Sequence, residues 1–234
     1  MSLTPDEWEV LRLSLKVALW SAAASLPPAV AVAYLLARTR FAGKSLFDAL
    51  VHLPLVLPPV VIGYFLLLTL GRTAPVGAFL EQHFGIVFAF RWTGAALACA
   101  VMGFPLMVRA MRLSIEAVDE RLEAAARTLG AGRLRVAATI TLPLALPGII
   151  IGTLLSFARS LGEFGATITF VSNIPGETRT LPLAIFTYTQ VPGGDAQAMR
   201  LSLISIAVSL AALLASEVLA RRATAATKGS DATR

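Results

Sequence analysis

Residues 93–113 read TGAALACAVMGFPLMVRAMRL, with no charge before Arg109. A helix rises 1.5 Å per residue, so about 20 residues cross the ~30 Å of hydrocarbon in a bilayer. This stretch is long enough. Working outward, four more stretches match it, at 11–37, 46–71, 147–171 and 197–220. None shows the period-2 alternation of a barrel strand, and backbone groups in lipid must be satisfied within the segment, so each is read as a helix. The expected fold is an all-α membrane protein of about five transmembrane helices. No polar stretch is long enough for a second domain, so residues 1–234 form one.

Composition agrees. The 234 residues are 56% hydrophobic and only 15% charged, where soluble domains carry about a quarter charged residues. The net charge of +6 does not point to nucleic acid, because the basic residues alternate by loop. Arg38, Arg40, Lys44, Arg109, Arg112, Arg121, Arg127, Arg133, Arg135, Arg221, Arg222, Lys228 and Arg234 fall on one side. Arg72, Arg91 and Arg179 fall on the other, with Arg12, Lys16 and Arg200 at span ends. The richer side is expected to be cytoplasmic, which puts the N-terminus outside and the C-terminus inside. Asp6, Glu7 and Glu9 precede the first span, unlike the basic start of a secretory signal, so that span is read as retained. The tail from residue 223, ATAATKGSDATR, is small and polar and reads as disordered. Cys99, the single cysteine, has no disulfide partner and no metal-ligand neighbours, and no metal site is expected.

The segment between the third and fourth spans is the most informative. Residues 114–148 read SIEAVDERLEAAARTLGAGRLRVAATITLPLALPG. Val118, Leu122, Ala125, Ala126 and Leu129 share one face at helical spacing, with Asp119, Glu120, Arg121, Glu123 and Arg127 around the rest. Gly130 and Gly132 end the helix. Leu142-Pro143 and Pro147-Gly148 mark re-entry to the membrane. Such a helix is either a docking surface for a partner or an interfacial helix lying on lipid; the residues alone leave both open.

Two spans carry polar or helix-breaking residues. In 52–65, HLPLVLPPVVIGYF, Pro54, Pro58 and Pro59 each lack a backbone donor. Lipid tolerates this where neighbouring helices or a wet cavity satisfy the freed carbonyls, so Pro58 and Pro59 mark a solute path or a fixed packing kink. In 156–170, SFARSLGEFGATITF, Arg159 falls near the middle of the span with Glu163 one turn on. Charge at that depth marks a pathway or a buried pair. The two are spaced to pair with each other on one helix face, and that reading competes with direct contact to an anion. Ser160, Thr167 and Thr169 offer hydroxyls to an oxyanion or, equally, to carbonyls of their own helix. Gly162 and Gly165 allow close helix approach. His52 reads as a packed interfacial residue and His83 as a solvated one. The connector 173–195 is expected to hold one short helix near 183–188, with Arg179 paired to Glu177 or to a partner protein. Gly43-Lys44-Ser45 is not part of a P-loop, since the glycine required five residues earlier is Arg38. The chain is therefore not expected to hydrolyse ATP.

The loop resembles the EAA motif of permease subunits of ATP-binding-cassette importers. That pattern is Glu-Ala-Ala, three residues, Gly, nine residues, Ile, one residue, Leu-Pro. Here Ala125-Ala126, Gly130, Ile140 and Leu142-Pro143 keep the spacing. The motif's Glu would stand where Ala124 is, and Glu123 lies one residue earlier, so any ATPase contact by Glu123 would be made from a shifted position. The segments GEFGATITFVSNIPGETRT (162–180), TQVPGGD (189–195), HLPLVLPPVV (52–61), FPLMVRA (104–110) and AARTLGAG (125–132) extend the resemblance to molybdate importer permeases over nearly the whole chain. Tungstate, sulfate and thiosulfate permeases are close.

The resemblance implies a type I importer permease fold, with a coupling helix in the loop of about 114–146 carried by Glu123, Ala125, Ala126, Arg127, Gly130, Ile140, Leu142 and Pro143. It implies a homodimer in a bacterial cytoplasmic membrane, two ATPase subunits that hold the ATP and Mg, and a periplasmic or extracellular binding protein. No cofactor is implied on this chain. An ion-coupled secondary transporter would also have kinked helices and a midplane charge, but would not need the Gly130–Leu142–Pro143 spacing. A plain membrane anchor would need neither the broken span nor the Arg159–Glu163 pair.

Overall fold

Thr4 starts the first helix. Its hydroxyl accepts from the Glu7 amide and the Glu7 carboxylate accepts from the Thr4 amide at 2.8 Å, a reciprocal cap, with Pro5 in the first turn where its missing N–H costs nothing. Helix α1 (Pro5–Arg38) then runs for 34 residues through Pro27 and Pro28. The computed structural model describes residues 3–229, which hold no strand. After α1 come α2 (Lys44–Val56), α3 (Pro59–Leu70), α4 (Pro75–Phe84), α5 (Trp92–Glu116), α6 (Glu120–Thr128) and α7 (Arg133–Val136). A π-helical turn (Ala137–Thr141) leads to α8 (Leu142–Leu144), α9 (Leu146–Leu161), α10 (Gly165–Val171), α11 (Leu181–Thr189) and α12 (Asp195–Gly229).

Among the described residues, α1, α5 and the 195–215 part of α12 are long and apolar enough to cross a membrane singly. Two bent pairs, α2 with α3 and 133–144 with α9, raise the number to five. Two sequence expectations need correction, and a third gains its geometry: the interruption expected at the prolines of the 46–71 stretch is a bend of 111° between α2 and α3. Leu57 and Pro58 each precede a proline, which disfavours helical backbone, and both are extended, at ψ 143° and 133°. The 147–171 stretch is two helices, with Gly162, Glu163 and Phe164 between α9 and α10, so Arg159 lies in the last turn of a helix rather than the middle of one. The tail from 223 continues α12 as far as Gly229; residues 230–234 lie outside the described residues.

The bundle is built around α1, α5 and α9. Helix α9 turns Gly148, Gly152, Ser156 and Ser160 towards its neighbours at four-residue spacing. Gly148 meets Ser114, Gly152 meets Met107 and Ala110, and Ser156 meets Gly103. Small residues on one stripe let backbones come close, which is how helices associate where lipid removes the hydrophobic drive. Gly165 packs against Pro59, as expected of an approach residue, whereas Gly162 faces open space. Leu36, Met107, Met111 and Ile115 form a core at the basic end, and Phe170, Val171, Ala95 and Cys99 one nearer the other end. Met199, Leu203, Ile206 and Leu210 of α12 are exposed, a face that suits lipid.

Candidate functional site

Two places bring the singled-out residues together. The first is where the two broken spans meet. Pro59 begins α3 beside Gly165, which begins α10, and Gly63 packs one turn on against Ala166 and Thr169. Just before this junction, Arg159 Nη1 lies 2.8 Å from Glu163 Oε2. The carboxylate is 1% exposed and the arginine side chain 31%. Glu163 Oε1 accepts from the Ala166 amide at 2.9 Å, so one carboxylate both holds an amide in the first turn of α10 and neutralises Arg159. The guanidinium keeps an open side.

The hydroxyls are turned inward. Ser160 donates to Ser156 O (2.8 Å), Thr167 to Phe164 O (2.8 Å) and Thr169 to Gly165 O (2.9 Å). Of the two readings open for them, the structure takes the one in which they serve their own helices. Ser160 makes a further contact that sequence reasoning missed, 3.1 Å to the Ser21 hydroxyl at the middle of α1. Serine on a long apolar helix was the available signal, but nothing in the sequence names its partner.

The second place is the loop at the basic end. Asp119 caps α6 by accepting from the Arg121 amide at 2.9 Å, and Gly130 ends it at φ +86°, where a side chain would be strained. Leu122 is exposed, as are Leu129 and Leu134, at 88% and 87%. Ala125, Arg127 and Pro143 are exposed, and Ala126, Ile140 and Leu142 half-buried. The helix is thus reversed relative to a soluble amphipathic helix, with its leucines out. Glu123, one of the residues set around the rest of the helix, is 3% exposed and the only buried residue of α6. Arg38 Nε donates to its Oε1 at 2.8 Å, the Thr141 hydroxyl donates to the same oxygen at 2.8 Å, and Arg127 Nη2 reaches Oε2 at 3.3 Å. In this conformation Glu123 offers nothing to a partner surface. Arg38 and Thr141 were missed, since they are 85 and 18 residues away in sequence.

Elsewhere, His52 Nδ1 lies 2.9 Å from Asp48 O and His83 stacks on Phe79. Arg179 does not pair with Glu177. It donates to Asn173 Oδ1 at 3.1 Å, while Glu177 accepts from the Trp92 amide. The short helix expected near 183–188 is α11.

Apolar spans, two broken helices meeting beside a buried ion pair, and a loop helix with its leucines outward define a multi-pass membrane transport subunit. Residues 29–225 match the family described as the binding-protein-dependent transport system inner membrane component, and the chain belongs to that family. It is 62% identical over 221 residues to the molybdenum transport system permease protein ModB of Escherichia coli (strain K12), covering 94% of this chain and 96% of that one. It is 58% identical over 216 residues to the protein of the same name from Haemophilus influenzae, covering 92% and 94%. The fold is similar to that of a chain in the crystal structure of a bacterial ABC transporter involved in the import of the acidic polysaccharide alginate. The TM-score is 0.74 at 16% identity, over 94% of this chain and 80% of that chain. At that identity the likeness is one of fold, the type I importer permease fold.

Proposed function

We propose that this chain is the membrane-spanning subunit of an ATP-driven importer that carries molybdate across a bacterial cytoplasmic membrane by alternating access. The observation that carries this reading is the near-full-length identity with molybdenum transport permeases, 62% over 94% of the chain. A mechanism goes with this reading. Two copies of the chain line the path, a binding protein delivers the anion at the outer end, and two ATPase subunits seat on the exposed leucines of α6 and its flank at the cytoplasmic end. ATP binding favours one of two permease states by several kcal/mol, as a shift between nearly exclusive populations requires. The chain itself makes and breaks no bonds. Arg159, held by Glu163 with one side open, lies one turn before the break between α9 and α10 and greets a dianion without presenting a trapping excess of charge.

The test is elemental. Cells with and without this chain are grown in trace molybdate with excess sulfate, and cellular molybdenum is measured. Molybdenum that falls on deletion and returns on complementation supports the reading. Unchanged molybdenum with reduced tungsten or sulfur uptake would leave an importer with a different oxyanion as cargo.

A further inference from the structure

Glu123 sits on the segment that faces the ATPase in the function proposed above, yet its carboxylate is turned into the protein and bonded to two other pieces of chain, the end of α1 through Arg38 and the π-helical turn before α9 through Thr141, and to the next turn of its own helix through Arg127. We propose that Glu123 is a positioning residue that locks these pieces into one body, so that a displacement of α6 is carried into α1 and α9 instead of being lost within the loop. The inference rests on the reading of the chain as an ATP-driven permease.

Three observations support a mechanical role over a merely satisfied buried pair. First, α6 has no other buried residue, and a cavity of about 380 Å³ lined by Tyr34, Arg38, Arg40, Arg127 and Arg133 lies beside it. Beside that open space Arg38 braces the helix through buried Glu123 at 2.8 Å and, at 3.6 Å, through the exposed Glu120, so charge pairing and not side-chain packing sets its position, with the buried carboxylate as the shorter and better shielded contact. Second, the brace is strong. The Arg38 side chain is itself buried, holds Glu123 at 2.8 Å and also donates to Val118 O at 2.8 Å, fixing the backbone that leads into α6. Charge-assisted bonds of this length are about twice as strong as neutral ones. Third, both tethered elements lead to the same place. Arg38 closes α1, and 17 residues back, about 26 Å along the helix, Ser21 touches Ser160 beside Arg159. Thr141 stands at the turn that leads through α8 into α9, which carries Ser160 and Arg159. One carboxylate therefore grips both struts, which touch again next to the ion pair, at the middle of α1 and the last turn of α9. The segment gripped through Thr141 is a π-helical turn, a rare form found frequently at functional sites.

The experiment uses the whole complex, this chain with its ATPase and binding protein, reconstituted in liposomes, with molybdate uptake and ATP hydrolysis measured on the same vesicles. Glu123→Gln keeps the shape and removes the charge; Thr141→Val removes one donor from a buried site at nearly constant volume. The expected result is that both variants retain assembly and ATP hydrolysis stimulated by the binding protein, while molybdate delivered per ATP falls about fivefold or more in Glu123→Gln, the scale of a typical coupling energy, and less in Thr141→Val. A wild-type ratio in assembled complexes of both variants overturns the proposal. So does loss of ATPase binding in both, which would make Glu123 a docking residue. Should the Gln variant alone fail to assemble, the ratio in Thr141→Val decides. A wild-type complex that hydrolyses ATP but carries tungstate or sulfate in place of molybdate sinks the cargo assignment only, and the ratio is then read with that anion.

Discussion

Pro59 lies against Gly165 so closely that a Cβ on the glycine would stand 2.8 Å from the proline's Cβ. The contact joins the first residue of α3 to the first residue of α10, so the two interruptions in the bundle share one seam. Gly165→Val is expected to push the seam apart, at a cost of about 1–3 kcal/mol for overpacking. Uptake should fall while the protein still reaches the membrane. Uptake assays beside thermal denaturation in detergent check this; wild-type transport by the variant would show that the seam tolerates widening.

Arg159→Ala leaves the Glu163 carboxylate buried with only the Ala166 amide. Removing one partner of a fully buried pair costs about 3–5 kcal/mol. With 31% of the Arg159 side chain exposed, solvent already screens the pair, and roughly 2 kcal/mol is expected. Arg159→Ala combined with Glu163→Gln should recover stability without recovering uptake. Recovery of both would make Arg159 a packing residue.

Gly130→Pro removes the amide that donates to Arg127 O at 3.0 Å and imposes φ near −65° where the chain holds +86°. Uptake should be abolished with membrane insertion intact, because the spans are untouched. Gly130→Ala, which pays only about 1–2 kcal/mol for left-handed backbone, should transport at a reduced rate. Normal uptake by the proline variant would refute the assignment of this loop to coupling.

Leu129→Asp and Leu134→Asp alter two side chains that touch almost nothing in the monomer. A leucine buried on assembly contributes about 1.5–3 kcal/mol, so each change should weaken ATPase retention about tenfold or more without shifting the melting temperature of the isolated subunit. Co-purification of the ATPase with tagged permease gives the answer, and undiminished retention would mean that the leucines lie on lipid.

The spans were legible because a bilayer imposes a length and a polarity that no tertiary contact can override. The break at Pro58 was legible for the same local reason, since Leu57 and Pro58 each precede a proline, although the 111° turn was not: prolines state where a helix fails, not where the chain goes next. The interruption at Gly162–Phe164 has no proline. It depends on Glu163 folding back to accept from Ala166, which the sequence offers only as one pairing among several. The burial of Glu123 was not legible, because helical periodicity sorts residues by polarity on the assumption that polar ones are wet. What overrides that assumption is Arg38, which arrives from 85 residues away. The approach stripe on α9 is legible in Gly148 and Gly152, four residues apart, whereas Gly162 faces open space.

The outward leucines of α6 and its flank have a bearing on how the subunit is made. A permease chain synthesised in excess of its ATPase displays Leu129 and Leu134 to water at the basic end, and these sticky groups are what chaperones and quality-control proteases recognise. Orphan copies should therefore be short-lived. Balanced synthesis of the two subunits, or translation from one message, is the economical arrangement, and overproduction for purification should succeed best when both are expressed together.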